Sequence, residues 1–451
     1  MHPLLILLSS VAVILLMILW LRVNAFLALL AAATTVGVLS PLVPLGEVMP
    51  KVAVSFGSVC ARIGIIVALA AVIGECLLES GAADKITRVF IRLFGEKRSS
   101  LSLLTSAWVL GIPVFFDTVF YLLVPLARAM RIRTGRNYLL FLMSIVAGGI
   151  TAHCMIPPTP GPLAMAANLN IDFGMMILLG GLVAIPMALV GWLFAVYRDR
   201  KLEIPLRETT GISLAELGEI AHEDDSRLPP FLWSATPIFL PVILITANTF
   251  SVALKAEGPV RSTLAFLGDP NLALLISTAI SMFILARHKG YTLAQLTGPV
   301  NRAFAGAGLI ILITAGGGAF GGMLVEAGVG RSLANVAQKY QLPLLLLGFF
   351  LSALLKAAQG SSTVAMITTS SIVAPLVLAV PPPYHPVYLA CVIGSGSLVG
   401  EWMNDSAFWV YKQMGGLTEV ETLKTLSPLL AVLGTTGLVA SYVLAIVMPM
   451  R

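Results

Sequence analysis

Charge is what this chain lacks most: only 11% of its 451 residues are Asp, Glu, Lys or Arg. Ordinary soluble domains carry about 25%, so too little polar surface is available to keep a chain of this size in water. That excludes a soluble enzyme, a nucleic-acid-binding protein and a disordered protein. Cysteine is scarce as well. Cys60, Cys76, Cys154 and Cys391 lie scattered in apolar stretches, with no spacing that suggests a metal site or a disulfide framework. No Ser/His/Asp set has a motif context for hydrolysis, so no enzyme activity, metal or cofactor is expected. What the chain has instead is apolar residues, 58% of the total. They come in runs long enough to cross a bilayer, and the sequence reads as an all-α multispanning membrane protein.

A crossing helix needs about 20 mostly apolar residues. Runs of that kind fall at 4–21, 24–43, 62–79, 137–156 and 174–196. After a hydrophilic stretch, 198–230, they resume at 231–252, 264–286, 303–325, 386–412 and 427–448. The first run has no basic leader and is long enough to span, so it reads as a transmembrane helix rather than a cleaved signal. The stretch 198–230 carries Arg198, Arg200, Lys201, Glu216, Glu219 and Glu223-Asp224-Asp225 and reads as a linker between two halves. Most of the 28 basic residues fall on one side of this layout. Basic loops stay inside, so 198–230 is expected to be cytoplasmic and the termini external.

The segment 99–127 does not fit a simple crossing. Lys85, Arg88, Arg92, Lys97 and Arg98 precede it, and Arg128, Arg131, Arg133 and Arg136 follow. Entering and leaving by the same face, it is too short for two full crossings, which need about 40 residues. At about 1.5 Å per residue, Ser100 to Gly111 climbs roughly 16 Å, and Asp117 to Arg128 descends as far. The tip Gly111-Ile-Pro-Val-Phe-Phe-Asp117 then lies near the middle of the membrane. The segment reads as a re-entrant hairpin, broken where Gly and Pro interrupt the helix. Segment 341–380, interrupted at Gln359-Gly-Ser-Ser-Thr363, reads as its counterpart.

The halves also resemble one another. Gly74-Glu-Cys-Leu-Leu-Glu-Ser-Gly81 matches Gly321-Gly-Met-Leu-Val-Glu-Ala-Gly328, and a hairpin follows each. A second break then follows each hairpin: His153-Cys-Met-Ile-Pro-Pro-Thr-Pro-Gly-Pro162 in one half, Gly400-Glu-Trp-Met-Asn-Asp-Ser406 in the other. With about five crossings per half, the repeats lie inverted. The first is expected over 1–197, with hairpin 99–127 and broken helix 137–170. The second is expected over 231–451, with hairpin 341–380 and broken helix 386–412. Inverted repeats whose broken helices meet near the midplane are a transporter architecture.

Irregular backbone at membrane depth survives only where protein or a water-filled cavity surrounds it, so four breaks imply one shared polar site. Phe116, Asp117 and Thr118 form the first tip. A charge at the bilayer centre costs about 2.5–3.5 kcal/mol, which gives Asp117 a proton, a cation or a substrate hydroxyl to hold, or a helix to cap. Histidine as a residue type titrates near neutral pH, and His153 sits beside the prolines. Those prolines open carbonyls and let Pro158, Thr159 and Gly161 approach a ligand. Gln359, Gly360, Ser361, Ser362 and Thr363 offer an amide, hydroxyls and the N–H groups of a half-helix, suited to a carboxylate or a polyol. Asn404, Asp405 and Ser406 form the fourth break, with Glu401 beside it. Asp117, His153, Glu401 and Asp405 are the candidates for ion coupling. Lys356 has three options: snorkelling to the headgroups, pairing with a carboxylate, or contacting the substrate directly. Gly316-Gly-Gly-Ala-Phe-Gly-Gly322 lacks the Lys-Ser/Thr ending of a phosphate loop and reads as a close-packing surface.

At these residues the sequence resembles the gluconate permease (GntP) family of the ion-transporter superfamily. The resemblance rests on Glu79-Ser-Gly-Ala-Ala83, Arg92-Leu-Phe-Gly-Glu-Lys-Arg98, Gly111 to Asp117 and His153 to Pro162. In the second half it rests on Gly318-Ala-Phe-Gly321, Ala358 to Val364, Asn404-Asp-Ser-Ala-Phe-Trp409 and Thr422-Leu-Lys424. Members often carry His where this chain has Thr159, and Ser-His-Val before the Asn-Asp pair where it has Glu401-Trp402-Met403. The resemblance implies a symporter of the bacterial inner membrane that imports gluconate or a related sugar or hydroxy acid with protons. It also implies a mobile domain carrying both hairpins past a scaffold (an elevator), often as a homodimer. The residues themselves leave two alternatives open, coupling to sodium through the same carbonyls and hydroxyls, or an anion channel.

Overall fold

A computed structural model describes residues 3–95, 98–207, 228–254, 257–329, 332, 343–403 and 405–450. Among them the chain forms eighteen α-helices and no strand. Eight helical stretches are long and apolar enough to cross a membrane. Most of the stretch 198–230, namely 208–227, lies outside the described residues.

The first half opens with α1 (Pro3–Leu15), which continues as a π-helical turn to Trp20, and α2 (Ala25–Leu39). The expected third crossing starts earlier than its hydropathy suggests, because α3 runs from Val48 to Glu79. Arg62 therefore lies in the middle of a helix rather than at the start of the crossing. Its guanidinium donates to the Ala167 carbonyl at 2.6 Å, which compensates a charge that hydropathy alone would exclude. After Gly81 in the left-handed region come α4 (Ala82–Phe94) and α5 (Ser99–Leu110). The turn Gly111–Phe115 follows, then α6 (Phe116–Thr134), longer than the expected hairpin arm. Next are α7 (Tyr138–Met155), a break at Ile156–Thr159, α8 (Pro160–Asn168) and α9 (Phe173–Asp199). Pro157 and Pro158 supply no N–H groups, so α7 stops before them. Pro160 opens α8, at a position where a missing N–H costs nothing.

The second half contains α10 (Phe231–Ala253), a short α11 (Gly258–Leu267), α12 (Pro270–Lys289) and α13 (Thr297–Glu326). The run 264–286 is thus two helices, parted at Gly268–Asp269; Asp269 caps α12 by accepting from the N–H groups of Asn271 and Leu272. Then come α14 (Leu344–Gln359), α15 (Ser362–Ala379), α16 (Val387–Gly396), a break at 397–405, α17 (Ser406–Gly415) and α18 (Glu419–Val447). Gly360 separates α14 from α15 with φ +88°, a conformation that costs other residues strain. Thr418 and Glu421 open α18 with a reciprocal capping box, which satisfies two donors at once.

Burial follows composition. Every residue of α7 and of α16 is buried, and both helices are mostly apolar, as interior helices are. Around them α9 and α18 leave Leu182, Leu189, Leu193, Val439, Val443 and Ile446 exposed, a surface suited to lipid.

The longest pair is α3 with α13, each about 45 Å at 1.5 Å per residue. Glycines on α13 admit close neighbours: Gly318 lies against Val59 of α3, and Gly316 against Phe26 of α2. The helices run antiparallel, since each start meets the other's end. Lys51 pairs with Glu326 at 2.5 Å at one end. At the other, Arg302 pairs with Glu75 at 2.7 Å and with Glu79, which also accepts from the Tyr291 hydroxyl at 2.7 Å.

Candidate substrate cavity

Three helix starts converge on one cavity of about 250 Å³. Phe115, Phe116 and Asp117 come from the start of α6; Gly360, Ser361, Ser362 and Thr363 from that of α15; Asp405, Ser406 and Ala407 from that of α17. Ile150, His153 and Cys154 of α7, Leu430 of α18 and Glu401 complete the lining. The first N–H groups of a helix have no intrahelical partner and carry partial positive charge. Three such ends facing one space make an environment suited to an anion. Part of that capacity is used internally. Asp405 accepts from the Ala407 N–H at 3.0 Å, and Ser361 from the Val364 N–H at 3.3 Å.

The two halves touch across the cavity where the Ser406 hydroxyl donates to Asp117 at 3.3 Å. Opposite, His153 is nine-tenths buried with its Nδ1 lacking a partner among the described residues, and its ring is 6.0 Å from that of Phe115. A buried polar atom left unpaired is costly, so an unpaired nitrogen beside an open cavity is poised for a ligand or a water.

Behind the lining, Lys356 is fully buried. Its ammonium pairs with Glu401 at 2.5 Å and with Asp405, and donates to the Gly360 carbonyl at 2.5 Å. Lys356 is thus paired with carboxylates rather than snorkelling, and it is not in the cavity lining.

The structure thus gathers Phe116, Asp117, His153, Gly360, Ser361, Ser362, Thr363, Glu401, Asp405 and Ser406 around one cavity. Thr118 is half-buried one position beyond and is not in the lining. Pro158, Thr159 and Gly161 also stand apart. The Thr159 hydroxyl donates to the Ile156 carbonyl at 2.6 Å, Gly161 packs against Met366, and Pro158 borders a separate small apolar space. Asn404 and the Gln359 side chain lie outside the described residues. Residues that motif reasoning passed over are Phe115, Ile150, Cys154, Ala407 and Leu430. Helical spacing alone would have found Ile150, which lies almost one turn before His153.

Comparison with known proteins decides the family. A model of GntP family permeases matches residues 2–447. The chain belongs to the GntP permease family. The inner membrane permease YgbN of Escherichia coli K12 is 33% identical to this permease over 445 residues, 96% of each chain. A gluconate permease of Pseudomonas aeruginosa is 33% identical over 431 residues, 95% of this chain and 94% of the relative. A low-affinity gluconate transporter of E. coli K12 is 31% identical over 440 residues. Relatives named as permeases and transporters, rather than as enzymes, accord with the membrane-protein composition. The fold is shared with the Alcanivorax borkumensis YdaH transporter, at a TM-score of 0.62 and 14% identity over 94% of this permease and 98% of that chain.

Proposed function

We propose that this permease imports a small hydroxylated carboxylate, such as gluconate or a related sugar or hydroxy acid, across the bacterial inner membrane together with protons. The observation that carries the reading is the cavity where three helix starts meet three carboxylates and an unpaired imidazole nitrogen. The helix starts suit the substrate carboxylate, and Ser361, Ser362, Thr363 and Ser406 suit its hydroxyls. Asp117, Glu401 and Asp405 outnumber the single ammonium of Lys356 paired with two of them. A bound carboxylate adds a fourth carboxyl group in a setting where each unpaired charge is costly. Protons carried with the substrate relieve that excess, which supports coupling through Asp117, His153, Glu401 or Asp405.

The same reading assigns residues 1–197 and 231–451 to two inverted repeats joined by a cytoplasmic linker at 198–230. The recurring order supports it: a long helix ending at Glu79 or Glu326, a glycine with positive φ at 81 or 328, a helical pair, a broken helix and a long closing helix. The reciprocal ion pairs at the two ends of α3 and α13 support it too, since inverted copies place each start at the other's end. In this reading α5–α6 and α14–α15 are re-entrant hairpins, and they move as an elevator past a scaffold built on α3 and α13.

The test is uptake of radiolabelled gluconate by proteoliposomes under an imposed pH gradient. Accumulation that persists when choline replaces sodium is the expected result. Equilibration without accumulation would indicate a channel, a sodium requirement would replace the proton, and no uptake across a panel of sugar and hydroxy acids would remove the substrate class.

A further inference from the structure

Lys356 sits in the last turn of α14, and although it touches two cavity carboxylates it does not itself line the cavity. Among the described residues its ammonium donates to the Gly360 carbonyl and to Asp405 and forms an ion pair with Glu401. Two other bonds join the same stretches of chain. The Ser362 hydroxyl donates to the Ser397 carbonyl at 2.8 Å, and the Trp402 indole N–H to the Ala357 carbonyl at 2.9 Å. Gly400, at φ +94°, brings the 397–405 break so near α14 that a Cβ there would stand 2.7 Å from the Cβ of Ala357.

We propose that Lys356 is a positioning residue: it ties the break at Gly360 and the break at 397–405 into one rigid body and does not bind the substrate. Glu401 and Asp405 approach from one loop, and the ammonium bridges them. Through Gly360 it also fixes the start of α15 relative to the start of α17. Ser361 to Thr363 and Asp405 to Ser406 then face one cavity as a preformed surface. The proposal rests on reading that cavity as the transport site.

The experiment compares wild type with Lys356→Met, Glu401→Gln and the double variant. It measures gluconate uptake kinetics in proteoliposomes and the unfolding midpoint of the purified protein. Removing a partner of a buried ion pair strands a charge: Lys356→Met leaves two carboxylates, Glu401 and Asp405, without their ammonium, whereas the double variant leaves only Asp405. Lys356→Met is therefore expected to lower the maximal uptake rate more than about tenfold and the midpoint by about 5 °C or more. Adding Glu401→Gln is expected to restore a substantial part of both. A substrate-binding lysine gives the opposite pattern. Glu401→Gln alone would lower KM by freeing the ammonium, Lys356→Met would raise KM, and the double variant would be no better than Lys356→Met. That pattern, or a double variant as unstable as the single one, overturns the proposal. Should Lys356→Met fail to fold, a folded double variant supports it. Should the wild type carry no gluconate, the substrate reading fails, while the midpoints still decide the role of Lys356.

Discussion

Asp117→Asn separates charge from shape at the point where the halves meet. The amide has nearly the size of the carboxylate, and its oxygen still accepts from the Ser406 hydroxyl, which lies 3.3 Å from Asp117. No existing donor loses its acceptor, no cavity opens, and the residue that gains the amide N–H groups lines the cavity. The substitution also removes a group whose ionised form costs about 2.5–3.5 kcal/mol at membrane depth. The variant is therefore expected to reach the membrane and to unfold at or above the wild-type temperature. Its effect falls on coupling. Electroneutral symport of one proton with one monovalent anion sustains about a tenfold gradient per pH unit, because each factor of ten corresponds to about 1.4 kcal/mol. Two pH units sustain about a hundredfold accumulation. On the proposed reading, in which Asp117 takes up the coupled proton, accumulation falls to about onefold, while substrate exchange between loaded and unloaded faces persists. Proteoliposome uptake at imposed gradients, paired with counterflow exchange, measures both quantities. Wild-type accumulation and an unchanged pH profile in Asp117→Asn would remove this carboxylate from coupling and refute the reasoning.

Other outcomes follow from packing and capping. Ser406→Ala deletes one polar group facing the cavity and is expected to raise KM by up to about tenfold, one hydrogen bond being worth about 1 kcal/mol, with little change in the unfolding midpoint. Gly318→Leu drives a branched side chain into Val59, where α13 crosses α3. It is expected to cost about 1–3 kcal/mol or more, read as lost monodisperse protein on size-exclusion chromatography. Thr418→Ala removes half of the capping box that opens α18. It is expected to cost about 1 kcal/mol, read as a small fall in the unfolding midpoint with the substrate KM unchanged.

Local rules made much of this molecule legible before any coordinates. Scarce charge and long apolar runs fixed the solvent, because too few polar atoms exist to face water. Prolines 157 and 158 and Gly360 marked helix ends, because a missing N–H or a left-handed backbone acts within a few residues of itself. Asp117, Asp405 and the serines at 361, 362 and 406 drew notice because polar groups beside such ends are costly in lipid. Where helices begin was less readable. The start of α3 at Val48 puts Arg62 mid-helix, tolerable only because a carbonyl of α8 stands opposite.

Partners distant along the chain were decided by tertiary structure alone. Whether Lys356 reaches the headgroups or Glu401 and Asp405 depends on how α14 packs beside the 397–405 break, and no local spacing carries that information. The same holds for the junction of Ser406 with Asp117, nearly three hundred residues apart, and for Pro158, Thr159 and Gly161, which shape a break yet stand outside the cavity. Sequence specifies where a backbone must stop being helical. Only the packing of the helices specifies which of those interruptions share a space.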